Sequence, residues 1–344
     1  MINSSIKWLA LIGLAFFISS CSKPEPQLLH IKGSTMGTYY QVSYVLSPEQ
    51  STDKQLLAPQ LKVLIDQELE LVNDQMSTYR PNSELSLFNK SKDSFVVSDA
   101  TIKVVQKALE VYKQSNGAFD VTVGPLVNLW GFGPDKKPNK VPNDQLIETT
   151  KNKIGSQYLS IEGNRLIKAK PDLYVDLSSI AKGYGVDAVA SLLIEQGINN
   201  YLVDIGGELS AHGYKPKKQP WTLAIERPSQ GQNVQRLLHI GDNAIATSGD
   251  YRNYFEFDGI RYSHTIDPNT GRPINHKLVS VTVIDKSSMV ADALATAITV
   301  LGPENGLKFA SKLKQPVFLL SKSGDSFVET YTPEFEPFLI EDEQ

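Results

Sequence analysis

The chain has 344 residues, of which 41% are apolar and 21% are charged, with a formal net charge of −4 at pH 7. These values favour one large or two ordinary globular domains and exclude a largely disordered chain. The mild acidity and the lack of a polybasic run argue against nucleic acid as a partner, which leaves small molecules and proteins.

The N-terminus has the form of a lipoprotein export signal. Its apolar run, Trp8–Ile18, follows a single lysine and is too short to span a bilayer. The run leads to Ile-Ser-Ser-Cys, which resembles a bacterial lipobox, and Cys21 is the only cysteine in the chain. We therefore expect residues 1–20 to be a signal peptide, Cys21 to be lipidated, residues 21–30 to form a tether, and residues 31–344 to form a single functional domain.

The first part of this domain predicts one strand and two helices. The glycine-rich segment Gly33–Thr38 indicates a tight turn or a close approach to a ligand, and it leads into the strand Tyr39–Leu46. Apolar residues at helical spacing predict amphipathic helices at Leu61–Asn73 and Ala100–Ser115. In the loop after the first helix, Tyr79 is a candidate for stacking on a flat ring system.

The segment Ala118–Gly133 is rich in aromatic residues and glycine. Its β-branched residues around Val121 predict a short strand that breaks at the following Gly-Pro pair. Phe119 and Trp130 are candidates for the walls of a ring-binding pocket, where Asp120 would accept a hydrogen bond from a heterocycle N–H. An ordinary hydrophobic loop is the alternative interpretation.

The segment Leu173–Gly185 has the form of a strand, an aspartate, small hydroxyl residues and a glycine-bearing entry to the helix Val186–Glu195. Helix N-terminal amides together with Ser178 or Ser179 would form an anion cradle, with Lys182 nearby. The segment is neither a Walker A motif nor a GxGxxG fingerprint, so spacing alone predicts phosphate binding only weakly.

The C-terminal part predicts mainly strands and one further helix pair. Strands are predicted at Trp221–Glu226, Tyr254–Arg261 and Leu278–Asp285, the last of them central because it alternates cleanly and is strongly apolar. Residues 246–252 are interpreted as a small-residue turn. Because strands and helices mix without strict βαβ alternation, we predict an α+β fold.

Two segments of this part carry the chemistry that the sequence suggests. Ser263–Ile274 combines His264 with an Asp-Pro-Asn-Thr-Gly turn, which is rigid enough to hold a catalytic side chain. The helix Val290–Leu301, expected to be capped by a preceding serine and to end at a proline, places Asp292 and Thr296 one turn apart on one face. A carboxylate and a hydroxyl are hard oxygen ligands for Mg²⁺, and a role of Asp292 at the positive end of the helix dipole is the alternative interpretation.

Seven motifs in order resemble those of the ApbE family, the FAD:protein FMN transferases, and the match runs from Gly33 to about Gly302. The resemblance implies a Mg²⁺-dependent transfer of the FMN half of FAD to a threonine or serine hydroxyl of a target protein, with release of AMP. The motifs are GSTMGT, MSTY, GAFDVTVGPL, VDLSSIAKGYG, SGDY, YSHTIDPNTG and ADALATA.

The resemblance also implies the roles of individual residues. His264 corresponds to the catalytic histidine of the family, although a metal-oriented water or Asp267 remains an alternative general base. The implied metal ligands are Asp292 and Thr296 with the backbone oxygens of Ala181 and Ala295. The implied FAD contacts are Met36, Tyr79, Ala118, Phe119, Asp120, Ser178, Tyr184 and the backbone near Ile266.

The family further implies mixed sheets with flanking helices, a core resembling the T-fold, and FAD in a cleft between two lobes. Expected partners are flavin-bearing subunits of membrane redox complexes of the NADH:quinone reductase type. The expected location is the periplasmic side of the inner membrane, with the outer membrane as the alternative. Two rival functions remain open at this stage: an FAD pyrophosphatase that yields FMN and AMP, and a flavin-binding lipoprotein without catalysis.

Overall fold

The structure is a computed structural model, and it describes most of the predicted domain. Because Cys21 and the signal peptide lie outside the described residues, their processing stays a prediction. Among the described helices, none combines the length and apolarity needed to cross a membrane. The described residues are 25–53, 56–133, 141–228, 234–249, 254–324 and 326–340.

Seventeen strands and seven α-helices make up the described part of the chain, which confirms the α+β prediction. The helices are α1 (Ala58–Met76), α2 (Glu84–Lys90), α3 (Asp99–Gln114), α4 (Gly124–Leu129), α5 (Asp144–Lys151), α6 (Ala181–Glu195) and α7 (Ser288–Leu313). The strands are β1 (Gln27–Thr35), β2 (Thr38–Leu46), β3 (Ser94–Val96), β4 (Leu159–Glu162), β5 (Arg165–Lys168), β6 (Tyr201–Ile205), β7 (Glu208–His212), β8 (Leu223–Glu226), β9 (Val234–Leu238), β10 (Ala244–Gly249), β11 (Tyr254–Phe257), β12 (Ile260–Ser263), β13 (Ile266–Asp267), β14 (Arg272–Pro273), β15 (Leu278–Asp285), β16 (Val317–Ser323) and β17 (Ser326–Tyr331).

Eight of these strands form one antiparallel sheet in the order β1-β2-β6-β7-β10-β15-β16-β17. The predicted central strand is confirmed, because β15 lies between β10 and β16 and is buried over nearly its whole length. Helices α1, α6 and α7 pack on one face of the sheet. The β8–β9 hairpin and the C-terminal segment cover apolar residues of the other face, including Val45, Ile284 and Phe318.

The N-terminal hairpin explains the glycine-rich motif at the start of the domain. β1 pairs with β2 from Gln27 to Thr35, so the last residues assigned to the tether belong to the sheet. A two-residue turn joins the strands, with positive φ at Met36 (50°) and Gly37 (73°). Such turns match the twist of the strands and require left-handed backbone at both central positions. The turn therefore presents the Met36 side chain at the sheet edge.

Several predicted elements differ from the structure. The residues around Val121 form a turn rather than a strand, and α4 begins at Gly124, because proline is favourable in the first turn of a helix. Helix α6 begins at Ala181, five residues earlier than predicted, and the preceding 173–177 segment is extended but outside every sheet. The predicted strand Tyr254–Arg261 is a hairpin, β11–β12, that turns at Asp258–Gly259.

Helix α7 is built from the two helices that the sequence predicts around Gly302 and Pro303. Gly302 has a φ of 77°, and its backbone breaks the helix where proline lacks an N–H donor. At the other end, the predicted cap is confirmed, because the Ser287 hydroxyl accepts a hydrogen bond from the Val290 N–H at 3.3 Å. The position of Asp292 on the second turn of α7 is thereby fixed.

Candidate active site

Two neighbouring chambers with shared lining residues form a cleft in the described structure. The first encloses about 340 Å³ and the second about 680 Å³, which are volumes typical of small-molecule sites. Asp176, Ser178 and Lys182 line both chambers and mark the junction between them. A ligand with two ring systems and a central phosphate linkage would therefore place that linkage beside the junction.

Helix α7 supplies the predicted carboxylate and hydroxyl to the first chamber. Asp292 and Thr296 both line this chamber, one helical turn apart, and Asp292 is only 6% exposed. The Gly183 N–H, in the first turn of α6, donates to Oδ2 of Asp292 at 3.1 Å. Burial raises the pKa of Asp292, whereas Lys182 and this hydrogen bond lower it. The predicted anion cradle at the start of α6 thus binds a carboxylate of the protein itself.

Helices α6 and α7 approach each other closely at this point. A Cβ atom added to Gly183 would lie 2.4 Å from the Ser288 carbonyl oxygen and 2.7 Å from Cα of Met289. Because these neighbours are backbone atoms, only glycine allows the two helices to pack this way. The close packing fixes the backbone of Lys182 relative to Asp292.

Lys182 and Glu208 form an ion pair in which the lysine ammonium donates to Oε1 of Glu208. Burial opposes the charge of Lys182, but the carboxylates of Asp292 and Glu208 outweigh it and raise the pKa of Lys182. Burial and the charge of Asp292 raise the pKa of Glu208, and Lys182 opposes this effect. One ammonium therefore faces two buried carboxylates at the junction.

His264 also lines the first chamber and lies directly after β12. Its ring meets Phe132 edge-on, with 6.3 Å between the ring centroids. The predicted turn follows it, closed by a hydrogen bond from the Gly271 N–H to the Asp267 carbonyl at 2.8 Å. Asp267 accepts the Asn269 N–H within the same turn and does not line the chamber, so the structure favours His264 over Asp267 as the reacting side chain.

Ala118, Phe119 and Asp120 line the first chamber, as the resemblance implies. Asp120 holds two segments together, because its Oδ1 accepts from the hydroxyls of Thr122 and Ser156, both at 2.6 Å. Trp130 does not line the chamber. It is buried behind the wall, where its indole N–H donates to the Gly271 carbonyl at 2.9 Å and so supports the turn near His264.

The second chamber contains four of the implied flavin or metal positions. Met36, Tyr79, Ser178 and Ala181 all line it, and Tyr79 is 71% exposed at its rim. The Ser178 N–H donates to Oδ1 of Asp176 at 2.9 Å, so the two residues form one local turn before α6. The implied contacts of a dinucleotide are therefore divided between two connected chambers.

A buried lysine holds the extended segment that carries this turn. The Lys168 ammonium donates to the carbonyls of Asn89 and Leu173, both at 3.1 Å, and to that of Pro171 at 3.4 Å. Burial lowers the pKa of Lys168. The Asn89 side chain also pairs with the backbone of Val175 in both directions at 2.8 Å. These hydrogen bonds hold the 173–177 segment in place, as pairing with a neighbouring strand would do in a sheet.

Two implied positions lie outside both chambers. Tyr184 lines a separate cavity of about 180 Å³, where the Lys103 ammonium lies 5.8 Å from its ring centroid. Although Tyr184 lies only three residues after Ala181, its side chain lines this separate cavity and not the second chamber. Ala295 is buried, and its carbonyl oxygen accepts the Thr299 hydroxyl at 2.8 Å. Ile266, in contrast, lines the first chamber as expected.

Sequence reasoning missed several residues that line the first chamber. Glu208 is the most deeply buried charged residue among them. In the sequence it stands directly after a glycine pair, which indicates only a turn between strands. Thr247, Ser248 and Gly249 also line the chamber, but they form the end of β10 instead of the predicted turn. Long-range strand pairing brings these residues to the site, so no local spacing pointed to them.

The residues present fit a hard divalent cation. Within the described ranges, no group of three or more His, Cys, Asp or Glu side chains has a metal-binding arrangement. A site at Asp292 would therefore combine one carboxylate with the Thr296 hydroxyl, backbone oxygens and a phosphate, which is the type of shell that Mg²⁺ accepts. Softer metals that prefer imidazole or thiolate find no such cluster there.

An α+β fold with a two-chamber cleft, lined by a buried carboxylate, a hydroxyl and a histidine, has the features of an enzyme active site. Comparison with known proteins gives the family. The model of the ApbE family matches residues 36–319, and the chain belongs to this family. The predicted resemblance is thereby confirmed.

Three similar proteins illustrate the relationship. A Vibrio cholerae protein named FAD:protein FMN transferase is 51% identical over 335 residues, which is 96% of this chain and 98% of that protein. An Escherichia coli K12 protein of the same name is 40% identical over 346 residues, with 96% and 97% coverage. The solved structure of the flavin transferase ApbE from V. cholerae matches with a TM-score of 0.84 at 50% identity, covering 91% of this chain and 100% of that chain.

Proposed function

We propose that this enzyme transfers the FMN moiety of FAD to a threonine or serine hydroxyl of a target protein and releases AMP, with Mg²⁺ as the metal. The observation that carries the proposal is the shared first chamber, which brings His264, Asp292 and Thr296 together. The names of the similar proteins support the same activity. The joined second chamber supplies the room that the other half of a dinucleotide needs.

In this reaction the acceptor hydroxyl attacks the phosphorus on the flavin side of the diphosphate. A new P–O ester bond forms, the P–O bond of the anhydride breaks, and the electron pair leaves with AMP. His264 accepts the hydroxyl proton, since histidine exchanges protons near neutral pH. Asp292 and Thr296 would hold the divalent ion, with the carbonyl of Ala181. When bound, this ion neutralises the charge that develops on the diphosphate.

The protein environment supports these steps in two ways. The Phe132 ring packs edge-on against the imidazole of His264, and the buried Trp130 supports the turn that follows it. Asp292 is oriented by the Gly183 N–H and shielded from water, which strengthens its electrostatic interaction with a cation. Positioning and charge neutralisation are the main contributions that phosphoryl-transfer enzymes make.

The test uses the chain without residues 1–21, mixed with FAD, Mg²⁺ and a protein that carries an acceptor hydroxyl. Mass spectrometry follows the acceptor and the nucleotide products. An acceptor heavier by one FMN, with an equal amount of AMP, is the expected result. His264→Ala should bind FAD but lose transfer by about 10²–10⁴-fold, the usual contribution of a general base. Unchanged transfer in this variant would exclude the proposed role of His264.

The same experiment distinguishes the alternatives. AMP and free FMN without an adduct would identify a pyrophosphatase, in which water replaces the hydroxyl at the same site. Intact, bound FAD would identify a carrier. Asp292→Asn removes the metal-binding charge with little change in shape, so product formation should fall and should require a higher Mg²⁺ concentration.

Membrane attachment and the target are further parts of the proposal. Lipidation at Cys21 would anchor the domain on the periplasmic side of the inner membrane, within reach of flavin-bearing subunits of NADH:quinone reductase-type complexes. Cys21→Ser should release the protein from membranes and abolish incorporation of labelled palmitate. Retention of both label and membrane attachment in this variant would contradict the lipobox prediction.

A further inference from the structure

The junction of the two chambers holds an unbalanced charge group. The Lys182 ammonium contacts Oε1 of Glu208, while Asp292 exerts a second attraction on the same ammonium. Glu208 is only 3% exposed, and its other oxygen, Oε2, has no hydrogen-bond partner among the described residues. A buried carboxylate oxygen without a partner weakens folding, so its presence here requires an explanation.

The backbone around Lys182 cannot adjust to favour one carboxylate. Its neighbour Gly183 donates its N–H to Asp292 and packs directly against the backbone of Ser288. Only the flexible side chain of Lys182 can therefore move between Glu208 and Asp292. A partly desolvated ammonium needs a carboxylate partner, and either Glu208 or Asp292 can supply one.

We propose that Glu208 is a positioning residue, which holds the Lys182 ammonium away from Asp292 and so leaves the Asp292 carboxylate free to bind the divalent ion. This inference rests on the proposed function, because it assumes that Asp292 is a metal ligand. Without Glu208, the ammonium would pair with Asp292, and every metal ion would have to displace it. With Glu208 present, the metal and the lysine occupy different carboxylates.

The arrangement also assigns a task to Lys182. Held by Glu208, the ammonium stays at the point that both chambers share, where the diphosphate of a dinucleotide that spans them would lie. Paired with Asp292, the same ammonium would cancel the charge that attracts the metal. Only when Lys182 pairs with Glu208 does the site therefore offer two separate positive charges to the diphosphate, namely the ammonium and the metal ion.

The test measures Mn²⁺ affinity by electron paramagnetic resonance with saturating FAD and no acceptor. Glu208→Gln keeps the size of the side chain but removes its charge, so Lys182 should move to Asp292. The Mn²⁺ dissociation constant should then rise about tenfold or more, because a close charge pair must be broken. Lys182→Met removes the competitor and should bind Mn²⁺ at least as tightly as the unmodified protein.

The double variant Glu208→Gln with Lys182→Met is decisive. It has neither the positioning residue nor the competing ammonium, so Mn²⁺ affinity should return to within about threefold of the unmodified value, because additivity fails for groups in contact. A residue that only maintained the fold would not be rescued by losing a second side chain. The matched control is Glu329→Gln, which removes the carboxylate of the Arg236 ion pair (2.9 Å) away from the cleft.

Several outcomes would overturn the proposal or separate it from the proposed function. Equal Mn²⁺ affinity in Glu208→Gln, or no recovery in the double variant, would refute the role of Glu208 while leaving the transferase intact. No Mn²⁺ binding in the unmodified protein would instead refute the metal role of Asp292, on which both depend. Circular dichroism and the Tm, both measured without Mn²⁺ and FAD, confirm that each variant is folded.

Discussion

Gly183 is the position at which packing and the active site are most tightly linked. In Gly183→Ala the new methyl group would lie 2.4 Å from a carbonyl oxygen and 2.6 Å from its carbon, both in the backbone of Ser288. No rotamer change relieves such a contact, so α6 must move away from α7. Overpacking of this kind costs about 1–3 kcal/mol, and we expect the upper end of that range. Alanine gains about 1 kcal/mol of helix propensity, which leaves a net loss of about 2 kcal/mol.

Gly185 in the same helix is the matched control. A methyl group there would meet the end of the Met36 side chain at 2.8 Å, and this flexible group can shift. Gly185→Ala should therefore change the free energy of unfolding by less than about 1 kcal/mol, because the propensity gain offsets the repacking. Urea denaturation measures both variants. The reasoning is refuted if Gly183→Ala is as stable as Gly185→Ala.

Two further predictions concern groups outside the reacting chamber. Lys168→Met leaves buried carbonyls without their donor and should lower the free energy of unfolding by about 1–3 kcal/mol. Its control, Lys92→Met at an exposed lysine, should have little effect, and similar losses in urea denaturation would contradict the stabilising role of Lys168. Burial raises the pKa of the Tyr44 hydroxyl to about 12, so the folded state keeps a proton that the unfolded state loses above its usual value of 10.0. Stability should thus fall between these pH values by as much as ~1.4 kcal/mol per pH unit from this group, and Tyr44→Phe should fall less steeply; equal slopes would refute the assignment.

The local parts of the site could be predicted from sequence because their geometry is set within a few residues. Asp292 and Thr296 are one helical turn apart, and the spacing alone puts them on one face. The cap at Ser287 and the turn after His264 are equally local. Their common chamber is different, because it depends on how α7 and the β12–β13 region pack together. Only the family resemblance connected these two segments before the structure did.

Several errors have identifiable physical causes. The Tyr254–Arg261 strand is a hairpin, and its signal was present, since Asp258–Gly259 is a favoured two-residue turn with positive φ at both positions (50° and 73°). Val121 has a high strand propensity, but its carbonyl instead accepts the Asp176 N–H at 2.7 Å outside any ladder. Tertiary contacts override propensity in such short segments.

Glu208 could not be found from sequence for a different reason. It begins β7 and pairs with Ile205 across a glycine corner, which is an ordinary place for a structural turn. Its importance follows from the packing of that corner against the first turn of α6, where Lys182 meets it. A carboxylate and an ammonium 26 residues apart show no periodicity. Only the folded geometry identifies them as a pair.

The starts of α6 and α7 stabilise each other through exchanged carboxylates. Asp187 on α6 accepts the N–H groups of Ser288 and Met289 at the start of α7, at 2.7 and 3.1 Å. Asp292 on α7 accepts the Gly183 N–H in the first turn of α6. Each helix thus supplies the anion that the positive N-terminus of the other attracts.

This exchange has a consequence for substrate binding. A carboxylate already occupies the α6 terminus, so that terminus cannot serve a phosphate in the way that helix N-termini often do. The diphosphate must therefore find its positive charge elsewhere in the cleft. Lys182 and the proposed divalent ion at Asp292 are two such sources beside the first chamber, and they would compete for the same carboxylate unless Glu208 separates them. The proposed metal dependence and the burial of Glu208 would then have a common origin, because Asp292, the proposed cation ligand, also locks the two helices together.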